Sequence, residues 1–314
     1  MERTEEVWAR IAADCGIEAS RYHVRREWRK RDARRDHLVQ IYASSDHEVV
    51  FKQIYRPKDE GFATALAAQK RACVAMGGDS ASVPRVLAAS SKDRAMIMAA
   101  VPGETAQAHL EAGGDAAEVL ERAGRWIAAF HRASGPEART FQPRFMRDHI
   151  AHLLGQLDRN EIAVANPRLF KRHAGDCIAL ASNFEGRETM SSATHGDMNL
   201  RNILLDGPKS AGIDFTALHS APVGFDIARL LLHFTGLHAD PAQIPEGHVV
   251  PPEALAGFFR GYTLVGPEDP SVGYLLRVRL LMDWVSIPAR LRDRSFAATL
   301  RLERLRRLAS RAFP

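Results

Sequence analysis

Apolar and polar positions alternate along much of the first third of this chain and recur every three or four residues along most of the rest. Alternation marks a strand with one buried face, and the longer period marks an amphipathic helix. Residues 4–14 open with a short helix: Thr4 is its N-cap, Val7, Trp8 and Ile11 form its apolar side, and Gly16 closes it. Three β-prone runs follow, Tyr22–Trp28, His37–Ala43 and His47–Tyr55. The polar tract Arg29–Asp36 and the turn Ser44-Ser45-Asp46 separate them, which predicts an antiparallel meander. Lys52 falls in the third run, on the same side as Val50 and Ile54.

Residues 59–76 return to a helical period, with Phe62, Leu66, Cys73 and Met76 along the seam and Gln69 in its middle. Gly77-Gly78 ends it, and Val83–Leu87 and Ala95–Met98 read as two further strands. The expected unit is a five-stranded antiparallel sheet with one packed helix. Ala99–Gly103 is a small-residue connector. Beyond it helices dominate: Ala116–Ala133, Arg144–Leu157, Leu169–Phe184, Phe225–Leu237, Glu253–Val265, Ser271–Ile287 and Phe296–Arg311. The pattern predicts an α+β chain with an N-terminal lobe at 1–98, a joint at 99–103 and a helical C-terminal lobe at 104–314; a length of 314 residues suffices for two lobes with a cleft.

Composition removes several classes. Apolar residues at 46% and charged residues at 26% are ordinary for a soluble globular protein, and no run is long and apolar enough to span a membrane. The charged N-terminus is unlike a signal peptide, so a cytoplasmic protein is expected. Cys15, Cys73 and Cys177 are odd in number and far apart, the pattern of reduced thiols. The net charge of +5 comes mostly from Arg spread along helices with compensating acids. Of the two basic clusters, Arg25–Arg35 holds the single aromatic Trp28 and Arg301–Arg311 none, short of the repeated interleaving of a single-strand binder, so neither a nucleic-acid partner nor a membrane is expected. Oligomeric state is left open.

The chemistry concentrates in Thr194–Leu205, where a polar loop holding Asp197 and Asn202 runs into the apolar strand Ile203–Leu205; a second acidic strand end follows at Ile213-Asp214-Phe215. Asp197 suits proton transfer from a hydroxyl, and the Asn202 amide oxygen with the Asp214 carboxylate suits Mg²⁺, a hard ion that takes oxygen ligands. Other candidates are weaker. His149 and His152 lack a carboxylate frame for a metal, Cys177 sits in an apolar stripe, and no GxSxG elbow is present.

His195-Gly196-Asp197 with Asn202, Ile213-Asp214-Phe215, the run PVGFDIARL at Pro222–Leu230 and Val101-Pro102-Gly103 stand in one order, and over residues 49–232 the chain resembles the aminoglycoside phosphotransferase and choline kinase superfamily. The resemblance implies a protein-kinase-like two-lobe fold and transfer of the γ-phosphoryl group of ATP, with Mg²⁺, to a small-molecule hydroxyl. It implies Asp197 as catalytic base, Asn202 and Asp214 as metal ligands, and Lys52 as the grip on the α- and β-phosphates. His195 would brace the catalytic loop, and Asp226 would tie it down through backbone N–H groups. Adenine would pair with the Ala99 carbonyl and the Val101 N–H.

Two departures stand out. Arg29–Asp36 holds no glycine where protein kinases have a glycine-rich phosphate loop, and the helix seam offers Gln69 to Lys52 where kinases place a glutamate, with Glu60 as the other choice. Both would permit a non-catalytic, pseudokinase-type regulator. A Ser/Thr protein kinase is disfavoured, because Asp214-Phe215 is followed by Thr216 and no APE segment lies downstream. Sugars, amino alcohols, amino acids and aminoglycoside-like compounds all remain possible acceptors. Residues 231–314 carry more Arg than Asp plus Glu, which counts against polycations, although Asp240, Glu246, Glu253, Glu268, Asp269 and Asp283 offer negative charge there.

Overall fold

The computed structural model describes residues 4–31, 36–57, 61–78, 82–216 and 218–313. The first compact unit is 1–105 together with 202–218, and the second is 106–201 with 219–314. The helix α1 (Thr4–Asp14) precedes β1 (His23–Arg31), β2 (Asp36–Ala43) and β3 (Glu48–Arg56). Then come α2 (Gly61–Ala75), β4 (Val86–Ser90), β5 (Ala95–Ala99) and β6 (Glu104–Thr105). The five long strands form one antiparallel sheet in the order β1-β2-β3-β5-β4. Lys52 stands opposite Val39 on one side and Met96 on the other.

Alternation along β3 divides its side chains between two apolar layers. Val49 and Phe51 join Tyr42 and Ile97 under α1, where Trp8 stacks on Tyr42 with ring centroids 3.7 Å apart. Ile54 and Met96 join Phe62 of α2, flanked by Leu66, Val86 and Met98. The sheet is thus covered by α2 as expected and, on its other face, by α1. Gln69 is buried, and its Nε2 donates to the Pro84 carbonyl at 2.6 Å, fastening α2 to the approach to β4.

The chain continues through α3 (Ala106–Glu111), α4 (Ala116–Ala133), β7 (Glu137–Thr140), α5 (Arg144–Asp158), α6 (Pro167–Leu180) and β8 (Glu188–Ala193). It then returns to the first unit for a hairpin, β9 (Ile203–Asp206) and β10 (Lys209–Gly212), whose β9 pairs with β6. This pairing is why 202–218 belongs with the first unit although the sequence boundary at 104 assigned it to the helical lobe. Gly103 makes the junction possible: its φ is +108°, and a Cβ there would lie 2.4 Å from the Leu205 carbonyl oxygen.

The second unit resumes with β11 (Ser220–Pro222), α7 (Gly224–His238), α8 (Pro252–Gly261), α9 (Pro270–Val285) and α10 (Phe296–Ala312). A small sheet of order β11-β8-β7 has no counterpart in the sequence reading. Its strands are short, β7 is exposed throughout, and β8 buries Thr189, Ser191 and Ser192, so no apolar alternation announces it. The helices α4 and α8 cross closely over glycines; a Cβ on Gly261 would lie 1.9 Å from the Glu121 carbonyl oxygen, and one on Gly124 2.4 Å from that of Phe258. Among the described residues no helix is long and apolar enough to cross a membrane.

Candidate active site

In the first unit, the sheet and the hairpin bring together residues far apart in sequence. Lys52 Nζ forms an ion pair with Asp214 Oδ1, and the lysine is the more buried partner, at 15% against 44% exposure. Asp214 lies just past β10, on an extension where the Ile213 N–H donates to the Asn202 carbonyl at 2.9 Å. That bond sets Asn202, which is buried, beside Asp214 at one end of the hairpin. Asp214 has φ of +67°, a left-handed conformation that Asp tolerates better than most residues, and such outliers gather at functional sites. The residues Ile213–Phe215 are therefore irregular backbone beyond the strand, which is Lys209–Gly212.

The residue types, an amide oxygen and a carboxylate on neighbouring backbone, suit a hard divalent cation such as Mg²⁺. In this structure the positive charge on Asp214 is the Lys52 ammonium. The expected Gln69–Lys52 hydrogen bond is not formed: Gln69 Nε2 donates to the Pro84 carbonyl, and the Lys52 ammonium is placed on Asp214. Glu60, the other candidate partner, lies outside the described residues. Ala99 ends β5, with its N–H donated to the Arg85 carbonyl at 2.9 Å, and half-buried Val101 follows. Of the glycine-free tract, residues 32–35 lie outside the described ones; at its edges Arg29 and Asp36 form a two-pronged ion pair at 3.0 and 3.1 Å.

In the second unit, one helix holds the loop at residues 195–201 twice. Asp226 and Arg229 stand three residues apart at the start of α7 and so share a face. Asp226 Oδ2 accepts the His195 backbone N–H at 2.7 Å, and Arg229 Nη2 donates to Asp197 Oδ1 at 2.8 Å. Between the grips, Gly196 takes φ of +86° and the Asp197 N–H meets His195 Nδ1 at 3.3 Å. Asn199 closes the turn, donating to the Asp197 carbonyl at 2.8 Å and accepting from the Arg201 N–H at 2.9 Å. Met198 and Leu200 are fully buried, while the Asp197 carboxylate stays 43% exposed.

Asp226 is itself 1% exposed and meets His131 Nε2 at 3.2 Å, while His131 Nδ1 meets the Tyr262 hydroxyl at 2.8 Å. Burial alone would raise the Asp226 pKa; the His131 hydrogen bond, the charges of His131 and His195 and the His195 N–H outweigh it and hold the carboxyl below its ordinary value. His131 and Tyr262 were missed by sequence reasoning, since each reads as one more position on the apolar side of a helix. Arg229 was legible in principle, inside PVGFDIARL and three residues past Asp226.

The acidic residues that the sequence offered for a cationic acceptor are partly engaged elsewhere. Asp240 caps the Ala242 N–H at 3.0 Å, and Asp269 takes Thr189 and Ser271 while capping α9. Both oxygens of Asp283, a buried residue, are held by arginines, Arg279 at 2.6 Å and Arg301 at 2.6 Å. His149 and His152 are exposed, His173 is buried against Phe313, and among the described residues no group of three or more His, Cys, Asp and Glu has the arrangement of a metal site. The three cysteines are free, and burial pushes the Cys177 thiol up to about 12.

The sequence profile of the phosphotransferase enzyme family matches residues 16–276. The chain belongs to that family. It is an enzyme, a phosphotransferase, of α+β architecture. A search of curated protein sequences finds no match. Its fold is shared with a choline/ethanolamine kinase family protein from Mesorhizobium loti, at 15% identity and a TM-score of 0.61 over 99% of each chain. A spectinomycin phosphotransferase solved with ADP and spectinomycin is similar at 13% identity and a TM-score of 0.55, over 98% of this chain and 94% of that one. A glucosamine kinase solved with glucosamine, ADP and inorganic phosphate is similar at 15% identity and a TM-score of 0.57, over 96% and 83%.

Proposed function

We propose that this phosphotransferase moves the γ-phosphoryl group of ATP, taken with Mg²⁺, to a hydroxyl group of a small molecule. The Lys52–Asp214 ion pair carries the reading, for it joins a sheet lysine to a carboxylate 162 residues away, next to Ile213, whose N–H bonds the Asn202 backbone carbonyl. Lys52 binds the α- and β-phosphates as a point charge, and Asn202 and Asp214 hold the metal. When bound, the metal supplies charge neutralisation on the phosphates. Asp197 orients the acceptor hydroxyl and takes its proton as the new O–P bond forms and the bond to ADP breaks, while Arg229 keeps the carboxylate aimed. The fold relatives solved with ADP support the nucleotide assignment.

Acceptor-dependent ADP release from the Asp197→Ala variant tests this. A loss of about 10²–10⁴-fold in turnover is expected, with nucleotide affinity within twofold of wild type. An alanine variant that keeps most of the turnover would show that Asp197 has another role.

A further inference from the structure

Three guanidinium groups and two carboxylates, Asp197 and Asp283, form a linked set of charges within the second unit. Arg229 reaches Asp197 from α7; Arg279 and Asp283 lie four residues apart on α9, which packs along α7; and Arg301 reaches Asp283 from α10. Asp283 is 8% exposed and gives one oxygen to each of two arginines, so its charge is buried and already offset by two guanidinium groups. Arg229 and Arg279 remain 30% and 31% exposed, reachable by a solute. The positive charges therefore outnumber the negative ones at the carboxylate that receives the acceptor.

The groups feel one another. Burial lowers the Arg279 pKa most, Asp283 and more weakly Asp197 oppose it, and the positive charges of Arg229 and Arg301 lower it further. A cation brought beside Asp197 would meet the same repulsion. An oxyanion would relieve it, and a guanidinium offers paired N–H donors that match carboxylate and phosphate oxygens.

We propose that the acceptor is a small hydroxyl compound that also carries an anionic group, a carboxylate or a phosphate monoester, held by Arg229 and Arg279 beside Asp197. This rests on the phosphotransfer reading above. Amines and polycationic sugars are then poor acceptors, since their charge opposes the site.

The test is ADP release with D-glycerate, sn-glycerol 3-phosphate, glycerol, ethanolamine and glucosamine at matched concentrations, with Asp197→Ala as background and ATP affinity measured in parallel. Turnover with D-glycerate or sn-glycerol 3-phosphate at least tenfold above that with glycerol and both amines is expected, and the better anion identifies the group recognised. In Arg279→Gln the KM for that anion should rise about 10–100-fold, the loss of one or two charge-assisted hydrogen bonds. Arg279→Lys should recover part of it, and the KM for ATP, within twofold of wild type in both variants, reports an intact fold. Preference for glycerol or an amine, or an anion KM unmoved in Arg279→Gln, overturns the proposal and leaves the phosphotransfer reading standing. Turnover on none of the five above background overturns the anionic-acceptor proposal, and the Mg²⁺-dependent ATP affinity measured in parallel then decides the phosphotransfer reading.

Discussion

Asp226 holds His195 through its backbone: the His195 N–H donates to Asp226 Oδ2 at 2.7 Å, and the same oxygen meets His131 Nε2 at 3.2 Å. A fully buried carboxylate is costly unless its oxygens are met by donors. Here both donors, one from α4 and one from the loop at 195–201, fall on Oδ2, so the helix start and the loop have one shared position, and Oδ1 is buried without a hydrogen-bond partner among the described residues. Arg229, three residues on, then decides where Asp197 points.

Asp226→Ala strands the His195 N–H and His131 together and should lower the unfolding free energy by about 2–5 kcal/mol. Because the folded pKa of Asp226 is depressed, its stabilisation is complete above the unfolded value of about 3.9 and disappears as pH falls through the folded one. Urea titrations at pH 7 and near pH 3 check both points: the gap between wild type and Asp226→Ala should shrink in acid. A gap below about 0.5 kcal/mol at pH 7, the range of ordinary surface changes, would remove Asp226 from this role.

Lys52→Met should weaken ATP binding about 10–100-fold, the worth of one or two charge-assisted hydrogen bonds to phosphate. Asp214→Ala should abolish the difference in ATP affinity measured with and without Mg²⁺. Isothermal titration reads both, and a Mg²⁺ dependence intact in Asp214→Ala would show that the ion is held elsewhere.

Gly261 has no room for a methyl group, with the Glu121 carbonyl 1.9 Å from where its Cβ would stand. Gly261→Ala must push α8 away from α4, at a cost of about 1–3 kcal/mol or more, and so disturb the Tyr262–His131 contact that backs Asp226. Thermal unfolding and turnover should fall together. A variant as stable as wild type would mean that the crossing relaxes freely.

Burial first, then the charges of Arg201 and Arg301, bring His233 down to about 4 from its ordinary 6.5, so the folded chain keeps it neutral while the unfolded chain protonates it. Stability should be full above pH 6.5 and decline as pH falls toward 4, by on the order of 3 kcal/mol from this one group. His233→Gln should flatten that slope in a series of thermal melts. An identical slope in wild type and variant would place the titration elsewhere.

Much of this architecture was readable from one-dimensional pattern. The alternation in β2 and β3 and the helical period of α4, which runs over the expected Ala116–Ala133, reflect burial of a single face, and burial is written into residue type at fixed spacing. The positions of Asp197 and Asn202 before β9 and of Asp214 just past β10 could likewise be read from the polar residues that flank two short apolar stretches. What the pattern could not hold was partnership. Gln69 lies on the inner seam of α2 as expected, yet its amide is spent on Pro84, and Lys52 turns to Asp214. The β11-β8-β7 sheet buries serine and threonine, whose hydrogen bonds depend on which strand lies alongside. His131, Tyr262, Arg229 and Arg279 acquire their roles only where α4, α7, α8 and α9 meet. Side-chain chemistry and its period are local properties of the sequence, whereas the choice of hydrogen-bond and ion-pair partners is made by packing, which brings together residues that no interval along the chain relates.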